Sequence, residues 1–282
     1  MAALGNVQWG NLVFGPGTQY AVTTIVGIDD LPDIRTEDVA RPGQHGDYTG
    51  PDYTGPRTIQ LGLGLRGDDP DDLRALSLAL RAATQPQNQP APLQFLDQDI
   101  LVYGKVRKRS IPYDAEYLWR LGDAALEFYC ADPCLYGLDE QSVSTTAYSP
   151  SAGRTYPLTF PRVYGSAGTS GRVTAVNAGD SPAFPVLRLD GPVANPSIEQ
   201  VTTGSTLTLD ATLQPGEFLL IDTRSRAVLL MGSSPRRSWV RGGSTWPLIQ
   251  PGSNELAYRG SALPGAPGQS SLLTVTWRDT SL

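Results

Sequence analysis

ALEFYCADPCLYG, Ala125 to Gly137, is the stretch whose reading decides the fold. An apolar-rich run from Ala125 to Tyr129 breaks at the turn pair Asp132-Pro133, with a tyrosine behind it. Proline has no amide proton and its ring restricts the residue before it, so a strand ending there cannot extend its ladder. The chain leaves one sheet at this point and begins another piece of structure. That places a boundary near the middle of the chain, with an N-terminal domain over residues 1–141 and a second over 142–282.

Working back from the boundary, strands are predicted near Leu118 to Tyr129, Ile100 to Ile111 and Leu93 to Leu96. Gln85 to Pro92 serves as a linker within the domain. One helix is expected, Pro70 to Ala83. Asp68 or Asp69 can cap it, Pro70 suits its first turn, and Asp71 and Asp72 complement its dipole. Leu73, Leu76, Ala79, Leu80 and Ala83 supply an apolar face at helical spacing, and Pro86 stops it. Before it, Ile59, Leu61, Leu63 and Leu65 alternate with small or polar residues, the mark of a half-buried strand over Thr58 to Leu65. Val7 to Phe14 and Tyr20 to Ile28 read as further strands. Between them and Thr58 lies a polar loop, Arg41 to Pro56. It contains a perfect tandem, DYTGPDYTGP (Asp47 to Pro56), read as an ordered or half-ordered loop tip.

Forward of the boundary, helical periodicity ends. Short apolar runs sit between turns: Pro185 to Leu189, Ser205 to Leu209, Phe218 to Ile221, Ala227 to Met231, Glu255 to Tyr258 and Ser271 to Trp277. That texture argues for a β-sandwich. Phe218 to Ile221 and Ala227 to Met231 form a hairpin around a five-residue loop, Asp222 to Arg226.

Bulk properties agree. The 282 residues suit about two domains on a prior of roughly 150 residues each. With 40% hydrophobic and 18% charged residues the chain can build real cores, and its 30 glycines and 24 prolines suit many tight turns. A net charge of -6 argues against nucleic-acid-specific binding or attraction to acidic membranes. No run is long and apolar enough to span a bilayer, and the first residues lack a signal peptide's basic start, so synthesis in the cytosol is expected.

Chemical motifs are few. GLGLRG (Gly62 to Gly67) matches a dinucleotide-binding pattern literally, but Asp68, Asp69, Asp71 and Asp72 would repel phosphate at the following helix, so no cofactor is expected. His45 is the only histidine, in a glycine-rich loop, and is read as solvated or at an interface. Cys130 and Cys134 offer too few soft ligands for zinc even with His45, and are expected to be free thiols. No catalytic residue is nominated, and the chain is not expected to be an enzyme. Lys105, Arg107, Lys108 and Arg109 form a basic run in a strand, assigned to a sheet edge or a subunit interface. Trp239 and Trp246 are candidate saccharide contacts, with core or interface packing as the alternative.

The order of several passages is similar to the distal tail (Dit) proteins of long-tailed, siphovirus-type bacteriophages. RPGQHGDYTGPDYTGPRTIQLGLGL (Arg41 to Leu65) sets a glycine-rich loop before an alternating strand and a lone helix, and ALEFYCADPCLYG closes the first domain. Asn177 to Gly204, Gly216 to Leu230 and Trp246 to Tyr258 resemble the family's C-terminal β-domain. The resemblance implies a mainly-β chain: an N-terminal β-sandwich with one helix, then a galectin-like, carbohydrate-module-like β-sandwich. It implies a virion structural protein, a homo-hexameric hub ring at the distal end of the tail. Its partners would be the tail tube protein on one side and a tail-associated hub or tail fibre protein on the other. Two other roles stand beside it: an adsorption module holding a cell-wall saccharide, and a hub of a phage-like contractile particle.

Overall fold

The structure, a computed structural model, describes residues 5–113, 121–148, 170–263 and 270–282. It divides into two compact units, Met1–Leu138 and Asp139–Ser281. Both are β-structure, and one α-helix occurs among the described residues.

The N-terminal unit opens with β1 (Val7–Trp9) and β2 (Leu12–Phe14). A single strand was expected here. Instead Trp9 pairs directly with Leu12, and the chain reverses at Gly10-Asn11. Gly10 sits at φ 58, a conformation that costs glycine little and so suits a two-residue hairpin turn. After β3 (Tyr20–Val26) come four short strands, β4 (Ile34–Thr36), β5 (Val39–Ala40), β6 (Asp47–Tyr48) and β7 (Asp52–Thr54). These lie outside the main sheet and belong to the site described below. β8 (Arg57–Arg66) then alternates as expected, with Ile59, Leu61, Leu63 and Leu65 all buried. Gly62 and Gly64 lie inside this strand, so the literal glycine motif is not a phosphate loop.

Helix α1 (Pro70–Ala83) follows with the predicted bounds. Asp69 is the cap: its carboxylate accepts from the Asp72 amide at 2.7 Å, while Asp72 accepts from the Asp68 amide at 2.9 Å. This reciprocal pair satisfies amides that an uncapped helix start leaves unpaired. Leu73, Leu76 and Leu80 face the core; Ala79, expected on that face, is exposed.

β9 (Ala91–Phe95), β10 (Ile100–Ser110), β11 (Leu121–Cys130) and β12 (Leu135–Gly137) complete the unit. The part of the predicted β11 strand before Leu121 lies outside the described residues. Strand order runs β2-β1-β9-β10-β11-β8-β3. β10 joins two layers: Ile100 to Gly104 pair with β9, and Lys105 to Ser110 with β11 across a register shift between Val106 and Lys108. Such a bulge bends a strand and lets it change layer. The core between the layers holds Trp9 edge-on to Phe128 at 4.9 Å, and Phe14 edge-on to Tyr20 at 5.6 Å. Two polar tips tie the helix down, Trp9 Nε1 donating to the Ala83 carbonyl at 3.0 Å and Tyr20 OH to that of Leu76 at 2.9 Å.

In the C-terminal unit the strands among the described residues are β13 (Gln141–Thr146), β14 (Arg172–Asn177), β15 (Val186–Asp190), β16 (Val193–Gln200), β17 (Ser205–Thr208), β18 (Thr212–Leu213), β19 (Phe218–Asp222), β20 (Ala227–Leu230), β21 (Ser234–Pro235), β22 (Gly252–Ser261), β23 (Leu272–Trp277) and the short β24 (Thr280–Ser281). One sheet runs β13-β23-β15-β19-β20-β21, the other β14-β22-β16-β17. Leu187, Leu189, Ile198, Leu219, Ile221, Leu256, Tyr258, Leu273 and Val275 meet in a single core. The last long strand, β23, therefore stays in its own unit, between β13 and β15. The β19–β20 hairpin pairs Asp222 with Ala227, so its loop holds one residue fewer than expected. β16 escaped the sequence reading because it carries Pro196. The register slips between Ala194 and Ser197 there, with Asn195 at φ 48, and a bulge admits a proline where a regular ladder would not.

Candidate interaction surfaces

Between β3 and β8 the chain leaves the N-terminal unit and returns as an arm. Its outer rung pairs β4 with β7 (Ile34 with Thr54, Thr36 with Asp52) and its inner rung pairs β5 with β6 (Val39 with Tyr48, Ala40 with Asp47). The tip is Arg41 to Gly46, where the Arg41 amide donates to the Gly46 carbonyl at 3.2 Å; His45 is here, exposed. The tandem is thus not the tip but the returning limb. Each copy repeats one contact. A β-carbon on Gly50 would lie 2.1 Å from the Glu37 carbonyl oxygen, and one on Gly55 2.8 Å from that of Asp33. Both positions require glycine because the opposing backbone approaches so closely. The Gly50 amide donates to Asp38 at 2.8 Å and the Gly55 amide to the Asp33 carbonyl at 2.6 Å.

The arm has no core. Ile34 is 49% exposed, Val39 63%, Tyr48 58% and Tyr53 47%. Among the described residues its side-chain stacking is internal: Arg35 over Tyr53 at 5.4 Å and Arg41 over Tyr48 at 4.9 Å. It is also acidic. Asp29, Asp30, Asp33, Glu37, Asp38, Asp47 and Asp52 are balanced only by Arg35 and Arg41.

Arg57 closes the root of the arm, which sequence reasoning missed. It is 2% exposed. Its Nη1 donates to the carbonyls of Gly27 (3.0 Å), Ile28 (2.7 Å) and Asp30 (2.8 Å), and its Nε to that of Pro133 (2.9 Å). One guanidinium therefore joins the outgoing limb, the returning limb and the Asp-Pro exit. Burial pulls its pKa down, opposed by the nearby thiols of Cys130 and Cys134 and by Asp29 and Asp30. No disulfide joins the two cysteines, and burial raises the Cys130 thiol to about 11. An arginine before an alternating strand looks exposed by pattern; only its tertiary neighbours reveal four waiting carbonyls.

The basic run on β10 divides its work. Arg109 donates to the Arg81 carbonyl at 2.9 Å and to Thr84 Oγ1 at 2.8 Å, so it caps the C-terminus of α1, where a cation is favoured. Lys105 bonds the Asn88 carbonyl. Arg107 lies over the Tyr129 ring at 4.7 Å, and Lys108 stands opposite Glu127 in the β11 register. Beside them an open groove of about 770 Å³ is lined by Arg74, Leu78, Arg81, Arg109, Ile111 and Tyr113, among others. The structure therefore brings three guanidiniums of α1 and β10 to one surface.

In the C-terminal unit Trp239 and Trp246 pack against the core, and each carries a guanidinium. Arg236 lies over Trp239 at 5.4 Å and Arg237 over Trp246 at 4.4 Å. Trp277 is buried, its Nε1 donating to the Val176 carbonyl at 3.1 Å. Among the described residues, no group of three His, Cys, Asp or Glu side chains is placed to hold a metal ion.

Two family models match the chain. Residues 17–130 match the phage tail protein RIFT-related domain, and residues 178–279 match the C-terminal domain of the siphovirus-type tail component. The chain belongs to the siphovirus distal tail (Dit) protein family. Its fold is that of the Dit protein of phage SPP1, described as a hub adsorption apparatus in phages infecting Gram-positive hosts. The two are 17% identical with a TM-score of 0.63, over 92% of this chain and 93% of that one. A chain of the phage P2 baseplate in its activated conformation shares the fold at 10% identity and a TM-score of 0.50, over 96% of each. No curated protein sequence matches. The Dit protein described here is a structural component of the phage tail, built for the distal tail hub.

Proposed function

We propose that this Dit protein forms a homo-hexameric ring in which each arm lies on the neighbouring copy. One side of the ring meets the tail tube protein and the other the host-facing hub or tail fibre protein. It is made in the host bacterial cytoplasm and has no catalysis of its own.

The arm is the observation that carries this reading. A two-stranded ribbon with its apolar side chains in water is marginal at best, so its register is explained by a surface it covers elsewhere. A closed ring needs two unlike patches on each subunit. The acidic arm and the basic groove on α1 and β10 supply them, with Arg74 and Arg81 as the groove's side of the contact and Arg107 and Lys108 on the strand beside it.

Native mass spectrometry of the full chain, alone and with tail tube protein, tests this. Hexamers, or rings assembled on the partner, are expected. Ile34→Asp with Val39→Asp should abolish them, and Arg74→Glu with Arg81→Glu should do the same unless acids of the arm are reversed in compensation. A stable monomer that joins no tail component, or arm variants that assemble normally, would overturn the proposal.

A further inference from the structure

Seven of the nine described arginines of the C-terminal unit, all but Arg224 and Arg278, sort into two groups. Arg172 pairs with Glu255, Arg188 with Asp190, Arg241 with Asp210 and Arg259 with Glu199. Arg226, Arg236 and Arg237 have no carboxylate partner among the described residues. These three lie together: Arg237 donates to the Arg226 carbonyl, and Arg236 precedes it in the 3-10 turn entry. Asp222, the one acid of the adjoining β19–β20 turn, is already engaged. Its carboxylate accepts from the Arg224 amide at 2.9 Å, the Ser225 amide at 3.3 Å and the Ser225 hydroxyl at 2.6 Å.

The backbone beneath them is held on both sides. The Arg236 amide donates to the Val228 carbonyl at 2.7 Å, the Trp239 amide to that of Arg236 at 3.0 Å, and the Asp210 amide to that of Trp239 at 2.7 Å. Trp239 and Trp246 then hold the guanidiniums of Arg236 and Arg237 against their rings. Arg236 Nη1 also donates to the Pro235 carbonyl at 2.9 Å and Arg237 Nη1 to that of Arg226. Stacking and one backbone bond thus order each side chain and leave its remaining N–H donors for an anion, with less entropy lost when one arrives. The same stacking works against a neutral sugar, which would have to displace a cation from each ring it used. Planar forks bind phosphate oxygens in pairs, and a cluster of three suits several phosphates along one strand. The whole chain carries net charge -6, so such a ligand is held by this local patch and not by the overall field.

We propose that Arg226, Arg236 and Arg237 form a binding site for the phosphodiester groups of a polyol- or sugar-phosphate polymer on a bacterial surface. The site draws on the tail location only, and it lies in a different unit from the arm, so its failure would leave ring assembly untouched.

Tryptophan fluorescence of the full chain, titrated with a poly(glycerol phosphate) oligomer, provides the test. Saturable binding is expected, weakening with salt at a log–log slope of about 2, as three phosphate contacts at about 0.7 each imply. Arg236→Gln with Arg237→Gln should lower affinity at least about ten-fold, the scale of one or more charge-assisted hydrogen bonds. Arg226→Gln, which disturbs no ring, should weaken binding in the same direction and guards against a misfolded double variant. Arg172→Gln removes an equal charge elsewhere and should change nothing. Unchanged affinity in the Arg236/Arg237 variant, equal loss in Arg172→Gln, or no saturation would each overturn the site. Neutral dextran bound as well as the phosphate polymer would return the rings to a sugar. Single-stranded DNA bound as tightly would reject a surface polymer in favour of nucleic acid.

Discussion

The arm, Ile34 to Thr54, and strand β8, Arg57 to Arg66, follow one another in the chain, and both are paired β-structure. β8 lies between β3 and β11 and puts every second side chain into the core. Among the described residues the arm's strands pair with one another, and its isoleucine, valine and tyrosines are left in solvent. Backbone pairing is common to both, so pairing is not what separates them. Burial is. Each fully buried apolar side chain of β8 contributes about 1.5–3 kcal/mol relative to exposure, and the arm gains almost none of this within one chain. Regularity without burial marks a segment whose stabilising surface belongs to another molecule. The same contrast applies to its arginines: Arg57 is immobilised at the root, while Arg35 and Arg41 lie over their own tyrosines.

The comparison can be broken most forcefully in the core. Phe128→Ala, which removes the ring against Trp9, should cost about 4 kcal/mol in urea unfolding of the N-terminal unit. A loss below about 1 kcal/mol would mean the layers do not rely on that contact. Arg57→Met keeps the volume but strands four carbonyls. It should cost about 3 kcal/mol and raise amide exchange from Gly27 to Pro56 ahead of the rest of the unit. Exchange that rises uniformly would show that Arg57 is no root clamp.

Alkaline pH probes the same buried corner with a smaller effect. The Cys130 thiol ordinarily loses its proton near 9.0, and burial raises that to about 11. The unfolded chain therefore releases its proton first, and stability is complete below pH 9.0 but declines as pH rises toward 11. A loss of about 2 kcal/mol is expected over that window in urea titrations. In the Cys130→Ala variant this part of the slope should vanish. Least affected should be the arm: Val39→Ser with Tyr48→Ser should change monomer stability by under about 0.5 kcal/mol. Its measurable consequence is in oligomer mass. A large stability change there would mean the arm packs on its own unit after all.

Some of this architecture was readable residue by residue. The alternation of Ile59 to Leu65, the Asp69 cap with its helix and the Asp-Pro exit each depend on chemistry within a few residues, and each occurs where expected. The arm was half legible. Its glycines and tandem were visible, but the reason for the period lies in Asp33 and Glu37 on the opposite limb. β16 hid behind Pro196 because the bulge that admits it depends on its pairing with β22. Trp239 and Trp246 were visible as candidate saccharide contacts or packed rings, whereas the guanidiniums over them were not.

The amino-acid order by itself determined a mainly-β chain with one capped helix and a strand break at Asp132-Pro133, because periodicity, capping and proline act over short range. Tertiary structure alone decided that a polar loop becomes a paired arm, that Arg57 is buried beneath its root, and that three arginines gather without acids. Those outcomes depend on contacts between residues far apart in sequence, where pairing and desolvation outweigh local preference.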